Sequence, residues 1–364
     1  LLSHPHAEQP LARLYPPYRR LLDPRDRRFW NALDFASRAR RMDVAAIQYA
    51  GWYDVFCEGA IRIWRTLRAE APSEYARASQ RLVIGPWMHW GMLQRSTPEV
   101  DFGPAANGLA AGGWEPALRW LRDALDEQPV QGGIRVFVMG RGDWEELEDW
   151  PPPATEVALH PGSSRGARSL RGDGVLATRP GEAAFDRFLH DPADPVPTRG
   201  GRTLGPWLPV PGPSDQRPVE ERGDVLVYTT PPLAEDVTIM GPVTGAALFA
   251  TSGRSADVTM KLVDVHPDGR ALNVLDSVVR SRFAPGRAKQ VEVALGSVAQ
   301  TFRRGHRIRL EVASSNFPRF DVNPSTGAAG LEVDRHEPAE QTLHHGGRTG
   351  TRLLLPVVAG ELRF

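Results

Sequence analysis

The feature that most constrains this chain is a run of three prolines, Pro151-Pro152-Pro153, directly after Trp150. Proline lacks an N–H and has a fixed φ, so such a run continues neither a helix nor a central strand. The hydrophobic periodicity differs on its two sides. A chain of 364 residues also exceeds the roughly 250–300 residues that one core accommodates. We therefore expect a domain boundary here, separating 43–152 from 153–364. Residues 1–42 form a third, irregular, Arg-rich segment, broken at Pro16-Pro17 and holding a short helix over 29–35.

Upstream of the prolines, strands alternate with helices. The apolar run over 44–50 reads as a buried strand ending at Gly51. In the helix that follows, Phe56, Ala60, Ile63 and Leu67 recur at helical spacing and mark its expected inner face. Residues 81–84 read as a second strand ending at Gly85-Pro86. Trp114, Leu118, Leu121 and Leu125 mark a second amphipathic helix, and 134–139 a third strand. Strand–helix–strand–helix–strand implies parallel pairing in an α/β sheet.

Downstream, no helical period appears. Strands are expected over 225–230, 237–240, 245–251, 258–266, 272–282, 291–295, 307–313 and 352–358. Ile308, Leu310 and Val312 alternate with Arg307, Arg309 and Glu311, the pattern of a half-buried strand. Gly (35) and Pro (33) supply the turns. This half predicts a β-sandwich, specifically a jelly roll.

Composition removes several functions. Lys+Arg and Asp+Glu both number 44, so the formal net charge is zero. That argues against broad electrostatic binding to nucleic acid or to an anionic membrane. No apolar run reaches the roughly 18 residues of a membrane-spanning helix. Cys57 is the one cysteine, which excludes an internal disulfide framework and a cysteine-based zinc site. We expect a cytoplasmic protein without cofactor or metal, and leave a homodimer open.

The chemistry-bearing residues follow the expected strands, where open α/β sheets bind ligands. The first strand runs into Gly51-Trp52-Tyr53-Asp54-Val55-Phe56, and the second into Gly85-Pro86-Trp87-Met88-His89-Trp90. An aspartate accepting from one imidazole N–H fixes the tautomer, leaving the other nitrogen to take a nucleophile's proton. Spacing alone leaves a second reading open: Asp54 caps the following helix and His89 is a loop histidine.

GWYD, followed about thirty residues later by GPWxH, resembles the cocaine esterase and X-prolyl dipeptidyl-peptidase family of serine hydrolases. The resemblance continues through Phe137-Val138-Met139-Gly140 with Trp144, and His190-Asp191-Pro192-Ala193-Asp194-Pro195. It persists in Asp215-Gln216-Arg217-Pro218, Lys261-Leu262-Val263-Asp264-Val265 with Pro267-Asp268-Gly269-Arg270, and Ser314-Ser315-Asn316-Phe317-Pro318. It implies the C-terminal part of an α/β-hydrolase domain followed by a jelly roll, with 1–42 the end of a helical cap. It also implies Asp54 as triad acid, His89 as triad base, and Phe56 as a lining of the acyl pocket. Where the family has a small polar residue before the histidine, this chain has Met88, and Trp90 follows it. Substrate preference therefore does not carry over.

The nucleophile is the largest departure. In α/β-hydrolases the order is Ser, Asp, His, yet only Ser3 and Ser37 precede Asp54, and neither sits in a G-x-S-x-G elbow. The chain opens Leu1-Leu2-Ser3 without Met or signal peptide. We therefore expect a C-terminal portion whose partner, the part carrying the nucleophile and oxyanion hole, lies upstream. The G-x-S-x-G at 162–166 reads as a flexible loop, with no buried strand before Ser164 and no helix after it.

Weaker candidates remain. The loop over 204–211, with Trp207, is a candidate wall of the substrate cleft. His336, His344 and His345 read as part of a solvated tail, and His4 and His6 carry no role. Cys57 reads as a small packed residue. Two functions stay open: an acyl-transfer hydrolase of a small ester or amide, and a non-catalytic ligand- or partner-binding sandwich module.

Overall fold

A computed structural model describes residues 14, 20, 26–91, 94–108, 114–204, 210–328 and 335–364, the Trp90 side chain excepted. The short helix α1 (Arg27–Leu33) starts where Asp26 Oδ1 accepts the Phe29 N–H. A four-stranded sheet follows, in the order β1 (Ala46–Tyr53), β2 (Gln80–Met88), β3 (Gly133–Val138), β4 (Asp143–Leu147). β1, β2 and β3 are parallel, as expected, and β4 turns back antiparallel on β3.

Both early strands run past the glycines expected to end them. Gly51 pairs with Gly85 and Tyr53 with Met88, so β2 carries one extra residue, a bulge that accommodates Pro86. The glycines are there for space. A Cβ on Gly51 would stand 2.1 Å from the Trp87 carbonyl oxygen, and one on Gly85 2.3 Å from its indole.

The helices correct two expected faces. In α2 (Cys57–Glu70) the buried stripe is Cys57, Ile61, Trp64 and Leu67, so it is turned away from Phe56, which is 56% exposed. After the short α3 (Glu74–Ala78), α4 (Glu115–Leu125) buries Ala117 and Trp120. Trp114, Leu118, Leu121 and Leu125, expected to point inward, are exposed. The 3.6-residue period was right, but Trp120 packs inward because its indole can reach the Gln131 carbonyl at 2.9 Å.

Beyond the prolines the described residues form a β-sandwich of eleven strands. Its hydrogen-bonded path runs β11-β10-β13-β8-β6-β5-β15-β9-β14-β7, with β12 on β9. The strands are β5 (Thr155–Gly162), β6 (Val175–Ala177), β7 (Ala184–His190), β8 (Leu226–Thr229), β9 (Val237–Thr251), β10 (Ser255–Val265), β11 (Ala271–Arg282), β12 (Lys289–Phe302), β13 (Arg307–Ala313), β14 (Ala339–His345) and β15 (Arg352–Ala359). One helical turn, α5 (Arg217–Glu220), interrupts them. Sequence periodicity overlooked β4, β5, β6, β7 and β14. It also split β9 in two at Gly241-Pro242, where the strand continues through positive φ at Gly241.

The two parts share one core. Trp52, Ile84 and Phe137 belong to the same buried cluster as Val243, Met260 and Leu310. Met139 exchanges backbone bonds with β12, its N–H to Ala299 O at 3.0 Å and its carbonyl from Thr301 N at 2.7 Å. Arg202, with a side chain only 9% exposed, ties the junction from the sandwich side. Its Nε donates to Trp52 O (2.8 Å), Nη1 to Glu58 (2.8 Å) and Nη2 to Ser297 O (2.6 Å).

Candidate active site

Asp54 and His89 leave the carboxyl ends of adjacent parallel strands, β1 and β2. The strand register sets their spacing, since Tyr53 pairs with Met88. His89 Nδ1 lies 3.1 Å from Asp54 Oδ2. The other carboxylate oxygen, Oδ1, accepts the Phe56 N–H at 3.0 Å. Asp54 does not cap α2, whose N-cap residue is Phe56 without a side-chain cap bond; one carboxylate oxygen holds the turn ahead of the helix, and the other meets the imidazole. Both side chains are largely covered, 15% exposed for Asp54 and 28% for His89.

Phe56 stands against the imidazole, its ring centroid 5.2 Å away in an edge-to-face arrangement. Its exposure removes the core-packing reading. Cys57, one residue on, is buried, and burial pushes its thiol up to about 12, so it is a packed, unreactive residue.

Trp207 falls outside the described residues, as do 205–209 around it. The neck of its loop is described. Gly201 and Gly212 exchange backbone bonds of 2.7 and 3.1 Å, and Arg202 fixes this neck to Trp52, two residues before Asp54.

The serine motif at 162–166 differs from its expected setting. A strand, β5, does precede it, because alternate burial of Leu159 and Pro161 is too short a signal for periodicity. No helix follows, and the Asp173 carboxylate gathers the N–H groups of Ser164, Arg165 and Gly166. Ser163 donates to both oxygens of Asp186 at 2.9 Å, and His345 Nε2 lies 3.1 Å from the same carboxylate. Tyr228 and the Ala167 N–H also donate to it, at 2.6 and 3.0 Å. The same imidazole nitrogen, His345 Nε2, also lies 3.3 Å from Ser163 Oγ, so the ring does not present one nitrogen to the carboxylate and the other to the serine, and the arrangement cross-links strands rather than relaying a proton from a hydroxyl. His344 and His345 accordingly lie in β14, with His345 buried, and not in a solvated tail. His336 is exposed.

The sequence reading overlooked one cluster. Asp264, His266 and His306 bring three ligand atoms within 4.8 Å of one another. Asp264 and His266, two apart at a strand end, were the available signal; His306 joins them only through β10–β13 pairing.

Comparison with known proteins shows the family. The model of the X-Pro dipeptidyl-peptidase family S15 matches residues 4–91, which hold both Asp54 and His89. The model of the X-Pro dipeptidyl-peptidase C-terminal non-catalytic domain matches residues 130–354. Cocaine esterase of a Rhodococcus species is 34% identical over 97% of this chain. This chain belongs to the cocaine esterase and X-Pro dipeptidyl-peptidase family. The family is one of serine hydrolases. A protein of Mycobacterium bovis named as a serine esterase is 25% identical over 88% of the chain. Among solved structures, an aminopeptidase from a marine-sediment thaumarchaeon superposes with a TM-score of 0.81 at 23% identity, over 97% of this chain and 62% of its own. An α-amino acid ester hydrolase gives 0.78 at 23% identity, over 96% and 62%. The fold is therefore the C-terminal part of an α/β-hydrolase domain followed by a jelly-roll sandwich. The chain spans 64% of the length of cocaine esterase and 53% of the mycobacterial protein.

Proposed function

We propose that this chain supplies the acid and the base of a serine hydrolase that cleaves a small ester or amide. The observation that carries the reading is the 3.1 Å contact between Asp54 and His89 at the ends of adjacent parallel strands. Asp54 orients the imidazole through Nδ1 and stabilises the imidazolium. Nε2 then takes the proton of the attacking hydroxyl and returns it to the leaving group. Phe56 borders the acyl group, and Trp207, outside the described residues, is a candidate substrate contact.

The nucleophile comes from residues outside this sequence. Among the described residues, β1 pairs with β2 alone, so one of its edges has no strand partner. An open strand edge is normally paired, covered or blunted. Trp114, Leu118, Leu121 and Leu125 also present an apolar stripe on α4. Further strands beside β1, one of them ending in the nucleophile, fit both features. The test is active-site labelling with a fluorophosphonate. The 364-residue chain alone should not label, whereas the protein that also carries the nucleophile should label and lose that labelling on His89→Ala.

A further inference from the structure

We propose that Asp264, His266 and His306 form a binding site for a divalent transition-metal ion of the zinc class, opening on the cavity between the sandwich and the α/β sheet.

The site is built by strand register. Asp264 and His266 are two apart at the end of β10, so they share one face. β13 pairs antiparallel with β10, Val265 opposite Arg307, which sets His306 across from His266. The two imidazoles stand 4.3 Å apart between ring centroids, inclined by 41°. The Asp264 carboxylate reaches both, Oδ1 at 2.8 Å from His306 Nδ1 and Oδ2 at 3.8 Å from His266 Nε2. Two imidazoles and one carboxylate are a ligand set suited to zinc, leaving coordination positions for water or a ligand.

The surroundings suit a cation. The Asp264 side chain is only 7% exposed, so its charge acts through little solvent. Of the arginines nearby, Arg307 donates to the Thr230 carbonyl at 3.1 Å, and two more are matched by carboxylates. Arg303 pairs with Asp236 at 2.7 Å and Arg270 with Asp268 at 2.9 Å.

The open side faces a cavity of about 220 Å³, walled opposite by Tyr53, Phe102, Phe137 and Met139. Asn273, also on its wall, accepts from Ser214 N–H and Gln216 Nε2 through Oδ1, while its buried Nδ2 has no partner. That amide N–H is suited to an acceptor, such as a carboxylate held on the metal.

The test is zinc titration of the full chain, stripped with a chelator, followed by calorimetry and by thermal unfolding. Cobalt added in parallel reports its ligands through visible absorption. We expect saturable binding of about one ion per chain, a raised melting temperature, and cobalt bands of nitrogen and oxygen ligation. His266→Ala and His306→Ala should each lose all three effects. His266 is half-buried at a strand end, so His266→Ala should melt like the metal-free wild type and carry the test even if His306→Ala fails to fold. Absence of saturable binding by the wild type overturns the proposal. So does a His266→Ala protein that binds zinc as the wild type does.

Discussion

Asp54 divides its carboxylate between two elements: Oδ1 accepts the Phe56 N–H at 3.0 Å, and Oδ2 meets His89 Nδ1 at 3.1 Å. The same side chain therefore sets the entry to α2 and the orientation of the imidazole.

Asp54→Asn separates these duties. The amide oxygen can still take the Phe56 N–H, but the NH2 can no longer accept from Nδ1, so the tautomer is wrong. In the active protein we expect turnover to fall on the order of 10⁴-fold with little change in melting temperature. Steady-state kinetics on an activated ester, with a parallel thermal melt, checks both parts.

Arg202→Ala should loosen the junction between the two parts. It removes three donors and leaves Glu58, Trp52 O and Ser297 O to be resolvated. Because Glu58 is 46% exposed, the cost is moderated by solvent, to roughly 2–3 kcal/mol. Chemical denaturation measures it. Burial opposes ionisation of Glu58, but the Arg202 charge and the Ser297 N–H outweigh this and hold its carboxyl below the ordinary value. Such a group stabilises fully above its unfolded pKa, about 4.3, and the gain is lost as pH falls through the folded value. Acidification should therefore destabilise the wild type more steeply than Glu58→Gln.

Glu220 should act in the opposite sense. Burial first, then the Glu311 carboxylate, raises its pKa to about 8, against the attraction of Arg309 at 2.6 Å. The folded state then holds a proton that the unfolded chain has released. Stability from this group is complete below its unfolded value and is lost as pH rises from there to about 8. Glu220→Gln should flatten that slope; denaturation midpoints compared across this range decide it.

The fold was legible where apolar residues form long runs. The three parallel strands and the strands β8 to β13 and β15 follow from runs such as Val258 to Val265. It was not legible in β7, where Phe185 and Leu189 face outward while Asp186 and His190 are buried. There the polar side chains face inward because they find partners, Asp186 in Tyr228 and Ser163, His190 in the Asn323 carbonyl. The Asp54–His89 pair was legible because each follows a recognisable strand within GWYD and GPWxH, motifs that resemble the family's; spacing alone left the helix-capping reading of Asp54 open. His306 was not, since only long-range register carries it to Asp264.

Ser164→Ala should leave both stability and hydrolysis unchanged, since its hydroxyl enters no part of the proposed reaction. Ser163→Ala should cost about 1–2 kcal/mol by leaving Asp186 with an unmet bond, again without loss of hydrolysis. A melt and an esterase assay on the two variants separate these outcomes.

The most direct measurement is to label the ester-hydrolysing protein with a fluorophosphonate and locate the modified serine by peptide mass spectrometry. The account predicts a serine outside these 364 residues, with labelling abolished by His89→Ala. A label on Ser164, or on any other serine of this chain, would contradict it.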